Sequence, residues 1–286
     1  MKRIIGTTLV ILAVAALVAA QTGTTSGSGF QLSTPTTQRK APRAAKTPEE
    51  GAAYQAIVTN PDLAAAEAGA KDFETKYGNS ELRDPIYQNL MYRYQQANNA
   101  TKTIEMGRKA LQLDPDNPMV LVTVAGVLSE RTKETDLDRD QRLAEATQDA
   151  QHALTGMDAW LATAPGITDE QAAGVKPLLA SVAHAILGMV ELTRKNPAGA
   201  EKQYRTSLEA NPARPDAVTL LRLALALDQQ KKYAEALPFA NRAVELSATT
   251  GGVVADMAKK EQNRLNLLTG QKPPAPAPAT PPPPKS

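Results

Sequence analysis

The chain has 286 residues, a formal net charge of +2 and no cysteine. Eight of the 32 Lys and Arg lie in the terminal segments 1–46 and 271–286, whereas all 30 Asp and Glu lie between Thr47 and Gly270, so this body has a net charge of −6. The acidic body argues against a nucleic-acid-binding fold, and the lack of Cys with only two His excludes, or nearly excludes, thiolate catalysis, disulfides and Cys/His metal sites.

The first 20 residues have the organisation of an export signal. Lys2 and Arg3 precede an apolar run from Ile4 to Ala19, and the small residues that close it fit cleavage after Ala20. The run of 16 residues is short for crossing a bilayer, which takes about 20. We therefore expect an exported protein, periplasmic or secreted, and the alternative is an inner-membrane anchor that is not cleaved.

Two polar segments flank the body. Residues 21–46 are rich in Ser, Thr, Gly and Pro, with Phe30 and Leu32 as the sizeable apolar side chains, and this composition predicts a disordered linker. The four charges of the linker are all positive, which suits a solvated spacer or, alternatively, proximity to an anionic membrane or cell wall. Residues 271–286 are rich in proline and are expected to form a disordered, extended spacer.

Within the body, apolar residues recur at the spacing of amphipathic helices. In the clearest unit, one helix follows Asp84 and a second runs from Thr103 to Leu113, where Pro115 stops it because proline lacks an N–H. The facing apolar side chains are Tyr87, Leu90, Met91 and Tyr94 on the first helix and Ile104, Ala110, Leu111 and Leu113 on the second.

The same plan recurs along residues 47–250, with units that start near positions 47, 84, 118, 181 and 217. The long step from 118 to 181 indicates one repeat plus an elaboration. We expect the elaboration to hold a charged insertion at Thr132–Gln141, a helix that ends near Ala164, and an extra helix near Thr168–Val175. Residues 251–270 are expected to form a C-terminal capping helix.

Small and large residues alternate in these units at a characteristic spacing. The positions concerned are Leu187, Gly188, Ala200, Tyr204 and Pro212 in one unit and Leu223, Ala224, Ala236 and Ala243 in the next. In this pattern the body resembles the tetratricopeptide repeat (TPR) family, which has a helix–turn–helix unit of 34 residues. The resemblance implies an all-α fold, a right-handed superhelical solenoid of stacked antiparallel helix pairs.

No constellation of residues typical of catalysis is present in the sequence. His152 and His184 are far apart, and neither has the partners of a catalytic triad. The acidic run Asp136–Asp140 lacks the glycine and the terminal Glu of a calcium loop. Trp160 is interpreted as a packing residue. We therefore expect no enzyme activity, no cofactor and no metal.

The TPR resemblance instead implies a protein or peptide partner, bound in a concave groove that the first helix of each unit lines. By register, the groove residues are Gln88, Tyr92, Gln95, Gln96, Met189, Leu221, Leu225 and Gln229. These are not the Lys, Asn and Arg of the family's clamp for peptide carboxylates, so chaperone C-termini are not expected ligands. An apolar inner face is equally compatible with cover by the protein's own helices. The alternative function is that of a membrane-tethered envelope assembly or structural protein.

Overall fold

The computed structural model describes residues 41–270, and this part of the chain is all-helical. The predicted export signal, the proline-rich tail and residues 21–40 of the linker lie outside the described residues. The described helices are α1 (Pro48–Val58), α2 (Leu63–Lys76), α3 (Arg83–Gln96), α4 (Ala100–Leu113), α5 (Pro118–Arg131), α6 (Arg139–Thr163), α7 (Asp169–Thr193), α8 (Pro197–Ala210), α9 (Ala217–Gln229), α10 (Tyr233–Ser247) and α11 (Gly252–Thr269).

Helix starts are encoded locally by capping side chains. The Asp62 carboxylate accepts hydrogen bonds from the first backbone N–H groups of α2, and Asn117 does the same for α5. At the start of α7, the Thr168 hydroxyl accepts from Gln171 N while the Gln171 side chain accepts from Thr168 N. Each cap satisfies N–H groups that have no partner inside the helix.

One turn geometry recurs between the helices of three pairs, and it is direct evidence of structural repetition. Asn98, Lys195 and Lys231 each have a φ near +60° at this turn. In each case the next residue donates its N–H to a carbonyl five residues back, as in Asn99 N to Tyr94 O at 2.9 Å. Three segments that are distant in the sequence therefore reverse the chain direction with the same turn conformation.

The helices form an α solenoid, as the sequence predicts. Each helix packs against the next in the chain, which gives the pairs α1/α2, α3/α4, α5/α6, α7/α8 and α9/α10. First helices of adjacent pairs also touch, for example α5 and α7. Helix α11 packs on both α9 and α10 at the end of the stack.

One close helix crossing in the core depends on a glycine. A Cβ at Gly188 of α7 would lie 2.6 Å from Tyr204 Cε1 of α8, so no larger residue fits beneath that ring. Tyr204 is fully buried, and Ala200, Ala224 and Ala236 are buried where neighbouring helices meet. Small residues thus set the helix spacing and large ones fill the remaining space.

An ion pair between a buried arginine and a half-buried glutamate joins units that are not adjacent in sequence. Arg222 of α9 donates from Nη2 to Glu130 Oε1 of α5 at 3.0 Å, although the residues are 92 positions apart. Tyr204 interacts electrostatically with both groups. Burial raises the pKa of Glu130, and Arg222 opposes that rise. The third and fifth pairs are therefore tied together across α7.

The elaboration of the third unit differs from the prediction. The expected extra helix near Thr168–Val175 is wrong, because those residues form the first turns of α7, a single helix of 25 residues. The Thr168 cap starts this helix early, and Pro177 is accommodated within it. Helix α6 also has 25 residues and ends at Thr163, in agreement with the expected stop before Pro165. The long step in the repeat spacing therefore reflects two elongated helices and the loop of residues 132–138, which lies within the predicted charged insertion.

Within residues 41–270, helix α7 is long and apolar enough to cross a membrane, with a mean hydropathy of 1.5. It packs against α6 and α8, and its residues Leu179, Ala183 and Val190 are buried. These are the contacts of a core helix in the solenoid.

Candidate binding cleft

The predicted groove residues are not all available on the surface. Gln88 and Leu221 are 1% and 0% exposed, and Tyr92 is also buried. Gln95, Met189 and Leu225 are half-buried, and Gln96 and Gln229 are exposed. Assignment of Gln88, Tyr92 and Leu221 to an accessible groove is therefore corrected, because all three lie inside the folded chain.

The protein's own last helix explains part of this correction. Leu221 of α9 clusters with Ala243 of α10 and Ala258 of α11, and Leu225 packs against the same cluster. Of the two readings of the apolar inner face, cover by the protein's own helices holds at this end of the solenoid. At the other end, the Gln88 side chain is committed to a carboxylate, as described below.

A separate cleft opens between the start of α3, the end of α4 and the elongated end of α6. It has a volume of about 980 Å³. The last two turns of α6, beyond the length of the other second helices, form one wall. The lining residues are Ala41, Pro42, Arg43, Asn79, Ser80, Glu81, Arg83, Asp84, Leu113, Asp114, Asp116, Gly156, Ala159, Trp160, Thr163, Ala164 and Pro165.

Asp84 provides a buried carboxylate at the beginning of α3. It is 4% exposed, and Gln88 Nε2, one helical turn later, donates to both carboxylate oxygens at 2.9 Å. Burial raises the pKa of Asp84 to about 6, despite the opposing effects of Arg43 and Gln88. The nearby Asp114 adds to the rise because two like charges share the site.

Asp114 provides the second carboxylate, directly after the last residue of α4. The indole Nε1 of Trp160 donates to its two oxygens at 3.1 and 3.0 Å. Trp160 is the single tryptophan of the chain and is mostly buried. It packs, as the sequence analysis expects, but it also fixes the orientation of a charged group.

The N-terminal segment, residues 41–46, supplies the cation for both carboxylates. Arg43 Nη1 lies 2.6 Å from Asp84 Oδ2, and Arg43 Nη2 lies 3.3 Å from Asp114 Oδ2. Three residues later, Lys46 Nζ donates to Asn79 O at 3.1 Å. The expectation of a disordered linker up to Lys46 is therefore corrected, because its last six residues are held against the solenoid by charged side chains.

The cleft is acidic apart from this segment. Its helices and loops contribute four carboxylates, from Glu81, Asp84, Asp114 and Asp116, against the guanidinium of Arg83, which lies 3.7 Å from Glu74. Two of the carboxylates are largely buried and would be costly without a counter-charge. The counter-charge present is the guanidinium of Arg43, whose N–H donors reach both carboxylates. Among residues 41–270 no group of three or more His, Cys, Asp or Glu is placed to hold a metal ion.

The sequence does not reveal the cleft, because four segments that are distant in the chain build it. In addition, its charged residues do not recur at equivalent positions in the other repeat units, so the repeat pattern does not mark them. The signals that existed were weak. Asp114 precedes a helix-stopping proline and Asp84 begins a helix, so both are typical of helix ends. No sequence spacing indicates that Arg43 lies between them.

Comparison with known proteins adds little to this description. No protein-family model and no curated protein matches the chain. Among solved structures, the chain is similar to PilF of Pseudomonas aeruginosa, with 20% identity, a TM-score of 0.47, and coverage of 78% of this chain and 95% of that chain. A likeness of this strength says nothing about what the chain binds.

Proposed function

We propose that the chain is an exported, non-catalytic scaffold of the TPR type that binds an extended peptide segment of a partner protein. The observation that carries the proposal is the cleft at Asp84 and Asp114, which already holds a non-helical segment of polypeptide through the ion pairs of Arg43. A site that binds one segment of its own chain has the shape and charge to bind a similar peptide segment of a partner.

The cleft rather than the predicted groove is the favoured binding site. About 980 Å³ of the cleft is open beside Arg43, so it can accept flanking residues of a peptide. The surface residues that remain of the predicted groove are Gln95, Gln96, Met189, Leu225 and Gln229. We assign them a secondary role, as a surface that a longer partner contacts after it enters the cleft.

A membrane-tethered scaffold is the second candidate, and one observation favours it. Arg43 and Lys46 fix the end of the linker to the solenoid, so about 20 residues separate the apolar run from the cleft. A chain of that length spans at most about 70 Å. An uncleaved anchor would therefore keep the cleft close to the membrane surface, where envelope proteins assemble.

Site-specific photo-cross-linking in the native cell tests the proposal. A photoreactive residue replaces Ala159, which is exposed and lines the cleft. Matched positions are Gln229, on the predicted inner face, and Leu137, which is fully exposed in the loop before α6. We expect a partner peptide to be captured at Ala159, to be absent at Leu137, and to be lost when Asp114→Asn is added.

Capture at Gln229 but not at Ala159 would place the binding site on the inner face and contradict the choice of the cleft. Capture at neither position would contradict a binding role for both surfaces. The mass of the mature N-terminal peptide, measured on the same samples, separates the two candidates, since a chain that begins at Gln21 has lost the apolar run Ile4–Ala19.

A further inference from the structure

We propose that the cleft is an arginine-recognition site, and that Arg43 is an internal ligand that the arginine of a partner segment must displace. The inference rests on the proposed function, because it names the chemistry of the bound peptide and the element that keeps the site closed in its absence.

The geometry selects arginine over lysine. The two terminal nitrogens of Arg43 reach different carboxylates, Nη1 to Asp84 and Nη2 to Asp114. A planar guanidinium presents these donors at a fixed separation, whereas the ammonium of lysine is a single point of charge that cannot span both acceptors in the same way. Pro42 precedes Arg43 and favours an extended approach of the chain.

The receiving side of the site is organised independently of Arg43. Gln88 holds the Asp84 carboxylate through two contacts of 2.9 Å, and Trp160 holds the Asp114 carboxylate through contacts of 3.1 and 3.0 Å. All four side chains belong to α3, α6 or the end of α4. The anionic pocket therefore stays formed when Arg43 leaves, and an incoming arginine finds its acceptors already oriented.

Charge complementarity explains why the N-terminal segment is the resting occupant. The linker carries only positive charges, at Arg39, Lys40, Arg43 and Lys46, and the cleft is lined by four carboxylates. Because the segment is tethered beside the site, its effective concentration is on the order of millimolar. A free peptide with the same chemistry must compete against that concentration. It therefore binds only when its own concentration or affinity is high enough to displace the tethered segment.

Trp160 provides a built-in reporter for the test. As the single tryptophan, it reports through its emission on the state of Asp114 and of the cleft. The full-length Arg43→Ala chain is titrated with a synthetic peptide of residues 38–46, QRKAPRAAK. The matched control peptide carries Gln in place of Arg43, and the wild-type chain is titrated in parallel.

We expect a saturable change in Trp160 emission for the Arg43→Ala chain. The Gln control peptide should bind roughly 10- to 100-fold more weakly, which is the loss expected for a hydrogen-bonded charge pair. The wild-type chain should need at least about tenfold more peptide because its own Arg43 competes. Arg43→Lys is a second variant, and it should respond to the peptide nearly as well as Arg43→Ala.

Equal binding of the two peptides, or no response of either variant, would overturn arginine recognition. Equal responses of wild type and variants would overturn the role of Arg43 as internal ligand. If the peptide binds as expected but nothing is captured at Ala159 in the cell, the proposed function fails while arginine recognition stands. The thermal unfolding midpoint of each variant confirms that it is folded.

Discussion

The crossing of α7 and α8 and the cleft beside α3 are both tightly built, but they are specified in different ways. At the crossing, the ring of Tyr204 lies against Gly188, and the requirement is one of size. In the cleft, Arg43 lies between Asp84 and Asp114, and the requirement is one of charge and donor geometry. The first requirement is a repeat feature of the solenoid, and the second occurs at one place in the described chain.

The contrast shows how a repeat fold leaves room for a specific site. Packing of small against large residues recurs from pair to pair, and it stabilises the solenoid whatever it binds. The lengthened end of α6 adds a wall outside that packing, where residues are free to serve a ligand. Binding chemistry can therefore be changed at the cleft without disturbing the stack.

The largest loss of stability is expected when the ion pair between Glu130 and Arg222, which connects the third and fifth helix pairs, is removed. In Glu130→Ala, Arg222 loses its carboxylate partner and remains buried with its charge. We expect the free energy of unfolding to fall by about 3–5 kcal/mol, because an arginine cannot neutralise itself by losing a proton. Urea unfolding followed by far-UV circular dichroism measures the loss.

The matched control for that variant is Glu245→Ala, which removes an exposed pair with Arg242 in α10. It should change stability by less than about 1 kcal/mol. Equal losses in the two variants would show that the Glu130–Arg222 pair does not connect the units.

A smaller effect is expected at the helix crossing. Gly188→Ala places a Cβ within 2.6 to 2.9 Å of three Tyr204 ring atoms, and overpacking should cost about 1–3 kcal/mol despite the better helix propensity of alanine. Gly174→Ala, in the same helix, meets no atom within 4 Å and should stabilise the protein by about 0.5–1 kcal/mol. A stabilising Gly188→Ala would contradict the size requirement at the crossing.

A change of pH tests the electrostatic side of the comparison. With its pKa raised to about 6, Asp84 becomes neutral as the pH falls through that value, and Arg43 then keeps only Asp114 as a charged partner. Trp160 emission of the wild-type chain should change with a midpoint near pH 6 as the N-terminal segment loosens. The change should disappear in Asp84→Asn.

The contribution of Asp84 to the free energy of unfolding depends on pH in the opposite sense to the attachment of the N-terminal segment. The folded-state pKa of Asp84 lies above its ordinary value, so its contribution to stability is fully present below about pH 4 and is lost as the pH rises through about 6. Asp149 of α6, whose pKa burial also raises to about 6, is the control because it titrates in the same range. Persistence of the transition in Asp84→Asn and its loss in Asp149→Asn would contradict the assignment to Asp84.

The sequence pattern predicts the solenoid but not the cleft, and the reasons are physical. The spacing of Gly188 and Tyr204 predicts a helix pair, because size complementarity acts between residues of neighbouring helices. The same register fails for Leu221, since it defines a helix face but not which later helix covers it. The prediction divided helix α7 into an extra helix and a repeat helix, whereas the Thr168 cap begins one continuous helix that accommodates Pro177.

The cleft depends on contacts that no periodicity encodes. Arg43 and Asp114 are 71 positions apart, and their meeting depends on how three helix pairs stack. A positively charged linker and an acidic body were visible in the composition, and together they are the one sequence signal that the two attract each other.

The most direct test of the account is a crystal structure of the Arg43→Ala chain with the peptide QRKAPRAAK. We expect the peptide to lie in the cleft with its second arginine between Asp84 and Asp114, its two terminal nitrogens on different carboxylates, and Trp160 still bonded to Asp114. A peptide held elsewhere, or a cleft whose carboxylates have turned away from each other, would contradict recognition of arginine at this site.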